Sequence, residues 1–323
     1  MSTFRAGSLW LFRLFGIDVY LHWSWILIAL FQIQSSAHAA QNDHSWLLPI
    51  YESGRWYAIQ YVALFGIVLL HEFGHALACR QVGGSADTIV LWPLGGIAYV
   101  RPPQRPGAYF WTALAGPLVN LLLVPLLGGL AFLELGIDWS ALSPDLPYFL
   151  KAIWGINLFL LLFNLIPVYP LDGGQILHGF LWYLIGQAES LMVVSILGMA
   201  LGGAAMVFSL LLGSLWLSVL SGFVFFTANM GFRHGRMLSK LLRNPRHRDA
   251  ACPACGFAPP QGNFWLCDEC GTRFDTFDCR AQCPGCGKLF RITACPNCAK
   301  QHPINEWFDA AKRQDNPSYT PHA

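Results

Sequence analysis

Charge is scarce in this chain. Of 323 residues only 12% are Asp, Glu, Lys or Arg, against 54% hydrophobic. Soluble domains carry charge on about a quarter of their residues. An ordinary soluble fold is therefore excluded, and a polytopic membrane protein is expected. Cysteine is nearly missing from most of the chain: Cys79 stands alone, and the other nine fall between Cys252 and Cys298. Two regions of different chemistry share one sequence. Acids are absent from Met1–Gly16, which holds Arg5 and Arg13, and from Arg233–Arg248, which holds six Lys or Arg. Lys and Arg are absent from Glu134–Pro147, where Glu134, Asp138 and Asp145 lie. The positive-inside bias then puts both termini in the cytosol. The net charge of +2 says little, because its distribution decides.

The long apolar runs give about six membrane spans. The first is expected at about Val19–Ile33, opened by His22-Trp23-Ser24-Trp25, with tryptophans suited to the interface. A secretory signal competes there, since Ala37-His38-Ala39 has the A-x-A form. Asp18 and His22 at the entrance favour a retained helix, with His22 interfacial. Gln34–Arg55 reads as loop, and Tyr57–Arg80 as the second span, with Cys79 packed at its end. Ile89–Trp92 and Ile97–Val100 are β-type runs around Pro93-Leu94-Gly95-Gly96, which reads as a hairpin. Pro106–Leu135 and Tyr148–Ile166 are spans three and four, and Glu189–Phe232 is long enough for two crossings with a turn near Gly213.

Inside the second span lies His71-Glu72-Phe73-Gly74-His75. Four residues apart on a helix, His71 and His75 share a face and can share one metal ion, with Glu72 beside it as a proton acceptor. Ionisable groups in lipid are costly, so they mark function by default. About a hundred residues later comes Asn164-Leu-Ile-Pro167-Val-Tyr-Pro170-Leu171-Asp172-Gly173-Gly174. Prolines and glycines break helices, which is tolerated in a membrane where the break lines a cavity. Asp172 is thus expected on irregular backbone, a fit candidate for the third ligand that a catalytic zinc needs.

H-E-x-x-H followed by N-x-x-P-x-x-x-L-D-G-G resembles the site-2 protease family of intramembrane zinc metalloproteases, over roughly residues 1–235. The resemblance implies zinc ligands at His71, His75 and Asp172 and a general base at Glu72. It also implies substrate contacts at Gly95 and Gly96 in the hairpin and at Asn164. Asn120, in Gly116-Pro117-Leu118-Val119-Asn120, is interhelical glue on its own reading and a substrate-holding residue by the resemblance. The family's frequent arginine after L-D-G-G is missing, and Gln175 and His178 follow instead.

The four C-x-x-C pairs of the tail lie outside the resemblance. Each lets two thiolates grip one ion from a tight turn, and Gly256, Gly271 and Gly287 follow the second cysteine of three of them. Taken in order, Cys252, Cys255, Cys267 and Cys270 make a first ribbon zinc site, and Cys283, Cys286, Cys295 and Cys298 a second. Cys279 is left over. Asp249–His302 holds five Lys or Arg against five acids. Bound zinc leaves each four-thiolate site at a formal −2, which disfavours nucleic acid. Phe257, Phe264, Trp265, Phe274, Phe277 and Phe290 exceed what two small cores need, so a protein-binding face is expected.

The expected architecture is an all-α polytopic membrane protein of about six transmembrane helices, with a membrane-associated β-hairpin and a small C-terminal zinc-ribbon β domain. The divisions are a metalloprotease domain (1–235), a basic linker (236–248) touching lipid headgroups, a double zinc ribbon (249–302) and a flexible tail (303–323). The expected function is intramembrane peptide hydrolysis near the cytosolic side, with one catalytic and two structural Zn2+. The expected partners are a membrane-embedded protein substrate, the lipid bilayer and a protein docked at the ribbons. A membrane zinc transporter or metal sensor is the alternative, although Glu72 and Asp172 are the only central acids for an ion relay. An inactive scaffold is disfavoured, since every motif position needed for chemistry is present.

Overall fold

A computed structural model describes residues 7–25, 51, 55–92, 95–132, 139–295, 298 and 300–314. The chain forms two compact units, Met1–Arg233 and His234–Ala323.

The first unit begins with a sheet that hydropathy hides. β1 (Ser8–Leu14) and β2 (Ile17–His22) form an antiparallel hairpin, and β2 then pairs in parallel with β3 (Ser85–Trp92), Val19 opposite Ile89. β4 (Gly95–Arg101) closes the other edge, antiparallel to β3 with Trp92 opposite Gly95. The hairpin turn is Phe15-Gly16, both at positive φ (50° and 71°), which matches the twist of two-residue hairpins. Val19–His22 is therefore strand and not the opening of a membrane helix. The alternation in Ile17–His22 is the reason: Ile17 and Val19 are fully buried while Asp18 and Tyr20 are not. Residues 26–33 of the expected first span, and Pro93-Leu94 of the second hairpin, lie outside the described residues.

Four described helices are long and apolar enough to cross a membrane: α1 (Arg55–Gln81), α2 (Pro106–Phe132), α4 (Leu146–Asn164) and α6 (Gln187–Leu211). Between them lie the short α3 (Trp139–Leu142) and α5 (Asp172–Ile185), and α7 (Leu215–Arg243) follows. Gly213, at φ 67°, turns the chain between α6 and α7. One face of α1 packs Phe73, Ala76 and Cys79 on Ile17, Val19, Ile89 and Leu91 of the sheet. This leaves the face carrying His71 and His75 for α2, which meets them with Asn120 and the Thr112 carbonyl. Small residues allow the approach: a methyl at Gly74 would lie 2.7 Å from the Ala115 carbonyl.

The second unit is wider than the expected ribbon. Asn244 Nδ2 donates to the Gln261 carbonyl (3.1 Å), and the Arg246 guanidinium donates to the Ala258 carbonyl (2.9 Å) over the Phe257 ring. His247 is buried against Asp275, Nε2 to Oδ2 at 2.9 Å. The basic linker is thus helix as far as Arg243 and part of the ribbon fold from Asn244. The tail is corrected as well. β5 (Trp265–Leu266) pairs with β6 (Arg273–Phe274), β8 (Gln301–Pro303) pairs with β7 (Ile292–Ala294), and α8 (Ile304–Gln314) packs Trp307, 0% exposed, against Phe277. Ile304, Trp307, Phe308 and Ala311 make an apolar stripe at helical spacing, which is why this stretch folds back. His302 is half-buried in β8, and residues 315–323 lie outside the described ones.

The aromatics go mostly to these cores. Phe274 and Phe277 are buried, and Phe257, Trp265 and Phe290 pack on the same clusters. Of the six, Phe264 is exposed, at 44%. Two small cores use more aromatic surface than the sequence suggested.

Candidate metal centre

Two helices bring His71, His75 and Asp172 to one point. α1 supplies both histidines on one face, and Asp172 is the first residue of α5. Asp172 is accordingly helical, and not on irregular backbone. The break falls just before it, with Leu171 extended (φ −62°, ψ 160°) as the N-cap. Two glycines let this turn close: methyls at Gly173 and Gly174 would run into the backbone of Leu165 and of Val168-Tyr169. Asp172 Oδ2 lies 3.0 Å from His71 Nε2 and 3.4 Å from His75 Nε2, and the two Nε2 atoms are 3.1 Å apart. A tetrahedral zinc with bonds of about 2.0–2.1 Å separates its ligands by about 3.3 Å. The triangle fits that ion.

The outer nitrogens fix the rings. His71 Nδ1 donates to Asn120 Oδ1 (2.9 Å) and His75 Nδ1 to the Thr112 carbonyl (2.7 Å). Oxygen acceptors at both Nδ1 atoms leave the Nε2 lone pairs for the shared centre. Thr112 lies next to Ala113, whose carbonyl Pro117 cannot cap because proline has no N–H. Glu72 is 6% exposed and next to His71 on α1, flanking the same face.

Asn120 is 0% exposed, and its Oδ1 accepts from His71 Nδ1. Asn164 ends α4, half-buried, eight residues before Asp172. Gly95 and Gly96 open β4, at the sheet edge where β3 is the one neighbour among the described residues. Sequence reading missed Thr112, which acts through its backbone, and Gly116. A methyl at Gly116 would run into the Nε2 of His75 and come within 2.8 Å of that of His71. The small-residue run Ala115-Gly116-Pro117 is the signal that could have pointed to it.

The tail cysteines form two tetrads, but not in sequence order. Cys252 and Cys255 join Cys295 and Cys298, while Cys267 and Cys270 join Cys283 and Cys286. Facing sulfurs are 3.8 and 3.7 Å apart in the outer set and 3.5 Å in both pairs of the inner one. Zinc–sulfur bonds of about 2.3 Å put tetrahedral sulfurs about 3.8 Å apart, so both sets fit the ion. All four turns share one device, the first cysteine's N–H donating to the carbonyl five residues on: Phe257, Thr272, Lys288 and Lys300. Gly256, Gly271 and Gly287 take positive φ (69°, 69° and 79°). A hydrogen bond with Thr272 brings the Cys270 thiol down to about 6, towards the thiolate that binds metal.

Packing explains the nesting. Phe274 stacks near Phe290 within the inner core, and the Ala251 N–H donates to the Trp307 carbonyl, which draws the last turn onto the first. The arrangement predicts a metal count. Cys252→Ser combined with Cys295→Ser should remove one zinc ion per chain, whereas sequential pairing would lose two.

The model of peptidase family M50 matches residues 59–136 and 137–210. "Putative zinc metalloprotease Rip3" of Mycobacterium tuberculosis is 33% identical over 233 residues, 67% of this chain and 56% of that protein. The chain thus spans a little over half the length of that relative. "Zinc metalloprotease MJ0392" of Methanocaldococcus jannaschii is 29% identical over 254 residues, 78% of this chain and 68% of that protein. The solved structure of a site-2 protease from Methanocaldococcus jannaschii aligns with a TM-score of 0.50 at 30% identity, covering 70% of this chain and 95% of that one.

Proposed function

This chain belongs to peptidase family M50, the site-2 proteases, and from that premise we propose that it is a zinc endopeptidase that cuts a membrane-spanning protein near the cytosolic side. The observation that carries the reading is the buried triangle of His71, His75 and Asp172, with 3.0–3.4 Å edges and Glu72 alongside. Zinc bound there supplies a Lewis acid that polarises a peptide carbonyl and acidifies a water. Glu72 takes the proton as the water oxygen bonds to the carbonyl carbon, then returns it to the amine nitrogen as the C–N bond breaks. The Nδ1 hydrogen bonds of His71 to Asn120 and of His75 to the Thr112 carbonyl hold both rings in place.

Substrate reaches the site unwound. The outer edge of β4, starting at Gly95 and Gly96 and without a further strand among the described residues, offers backbone N–H and C=O groups to an extended segment and so supports binding without side-chain selection. Asn164, near the turn to Asp172, is a side-chain contact for the same segment. Arg5, Arg13 and the basic end of α7 support cytosolic termini, with Glu134 and Asp145 on the other side. The ribbon unit has balanced charge in Asp249–His302, and zinc on its two four-thiolate sites would make it net acidic, which supports a protein partner over nucleic acid.

Membrane proteomes of cells making wild type or Glu72→Gln test the reading. Wild type should convert a precursor to a fragment, and Glu72→Gln should leave it whole while keeping its full complement of zinc. Undiminished cleavage by Glu72→Gln would refute the mechanism. A chain lacking residues 244–323, in the same comparison, should cut a changed set of precursors.

A further inference from the structure

We propose that Asn157, on α4, is a positioning residue for the metal centre: it holds Asn120, and through it the ring of His71. The proposal rests on reading His71, His75 and Asp172 as metal ligands. Asn157 is 0% exposed, and its Nδ2 donates to the backbone carbonyl of Asn120 at 3.0 Å. Asn120, also 0% exposed, accepts from His71 Nδ1 at 2.9 Å. Two buried carboxamides and one imidazole thus form a relay from α4 through α2 to α1. It ends on the nitrogen opposite the one that faces Asp172.

Each link constrains the next. The bond to the Asn120 carbonyl fixes the α2 backbone at the residue whose side chain meets His71. With Oδ1 of Asn120 committed to His71, the ring cannot turn about its last torsion without breaking that bond. The ring plane and the Nδ1–H tautomer are both set, and partners of this kind tune metal affinity.

Simple helix–helix adhesion explains Asn157 less well. Asn157 Oδ1 and Asn120 Nδ2 are both buried without a hydrogen-bond partner among the described residues. A half-satisfied polar pair in apolar surroundings is worse for stability than leucine of similar size. Polar side chains between membrane helices contribute little to adhesion in any case. A residue kept for packing alone would be apolar here.

The test uses the full chain in detergent, loaded with zinc, and follows release of the most labile equivalent to an added chelator, with thermal unfolding recorded alongside. Asn157→Leu removes both polar atoms, and Asn157→Asp keeps the shape while removing the donor. Both should release that zinc about tenfold faster than wild type, the usual cost of losing a partner behind a ligand. Asn157→Leu should unfold no earlier than wild type. Unchanged release in two folded variants would overturn the proposal. So would faster release that only tracks a lowered unfolding temperature, or failure of both variants to fold, which would make Asn157 a folding residue. An Asp172→Asn chain, otherwise wild type, that keeps its labile zinc would sink the ligand reading and this proposal together. Absent cleavage with the tenfold difference intact would sink only the protease reading.

Discussion

Gly116→Val should abolish zinc binding at the His71–His75–Asp172 centre and all cleavage with it, while the ribbon thiolates keep their two ions. The side chain would arrive where no atom can yield. Its first carbon falls on His75 Nε2 and within 2.8 Å of His71 Nε2. Neither ring can step aside, since Asn120 and the Thr112 carbonyl hold their far sides. α2 could back away only by opening the close contact that Gly74 makes with the Ala115 carbonyl and by lengthening the hydrogen bonds to both rings. The control is Gly66→Val on α1, where no atom lies within 4 Å of the added carbon and zinc and cleavage should persist. Metal analysis and cleavage assays on both variants decide it. A Gly116→Val chain with full zinc and normal turnover would mean that the centre lies elsewhere.

Asp172→Asn should be nearly as severe. The carboxylate is the sole anion in the ligand triangle, so its loss leaves a divalent ion on two neutral imidazoles and an amide. It also begins α5, where the helix N-terminus favours negative charge and the neutral amide forgoes that interaction. Counting zinc per chain should give about three ions in wild type and about two in the variant, from two four-thiolate sites plus one catalytic site. The lost ion should be the catalytic one, leaving chelator-resistant zinc on the thiolates. Three retained ions would move Asp172 out of the ligand set.

What the sequence by itself determined is what depends on near neighbours. Four residues of helix put His71 and His75 on one face wherever the helix goes. The glycine after a C-x-x-C pair fits a turn that only those few residues build, and long apolar runs state their need for lipid or burial directly. Ile304, Trp307, Phe308 and Ala311 belong here too, since their stripe was on the page although the stretch read as a flexible tail. The tertiary structure alone decided everything that required choosing among distant partners. Four equivalent cysteine pairs allow three ways of joining two by two, and the choice fell to Phe274, Phe290 and Trp307, which pack the turns into nested sets. β2 lies parallel to a strand some seventy residues away, so its alternation was lost in a stretch resembling a membrane span. Asn157 has no local signature of its task, and the motif around Gly116 and Asn120 does not say which side chains of another helix it meets. A carboxamide or a missing side chain in an apolar helix acquires meaning only when another helix arrives opposite it, and which helix arrives is set by packing over the whole unit.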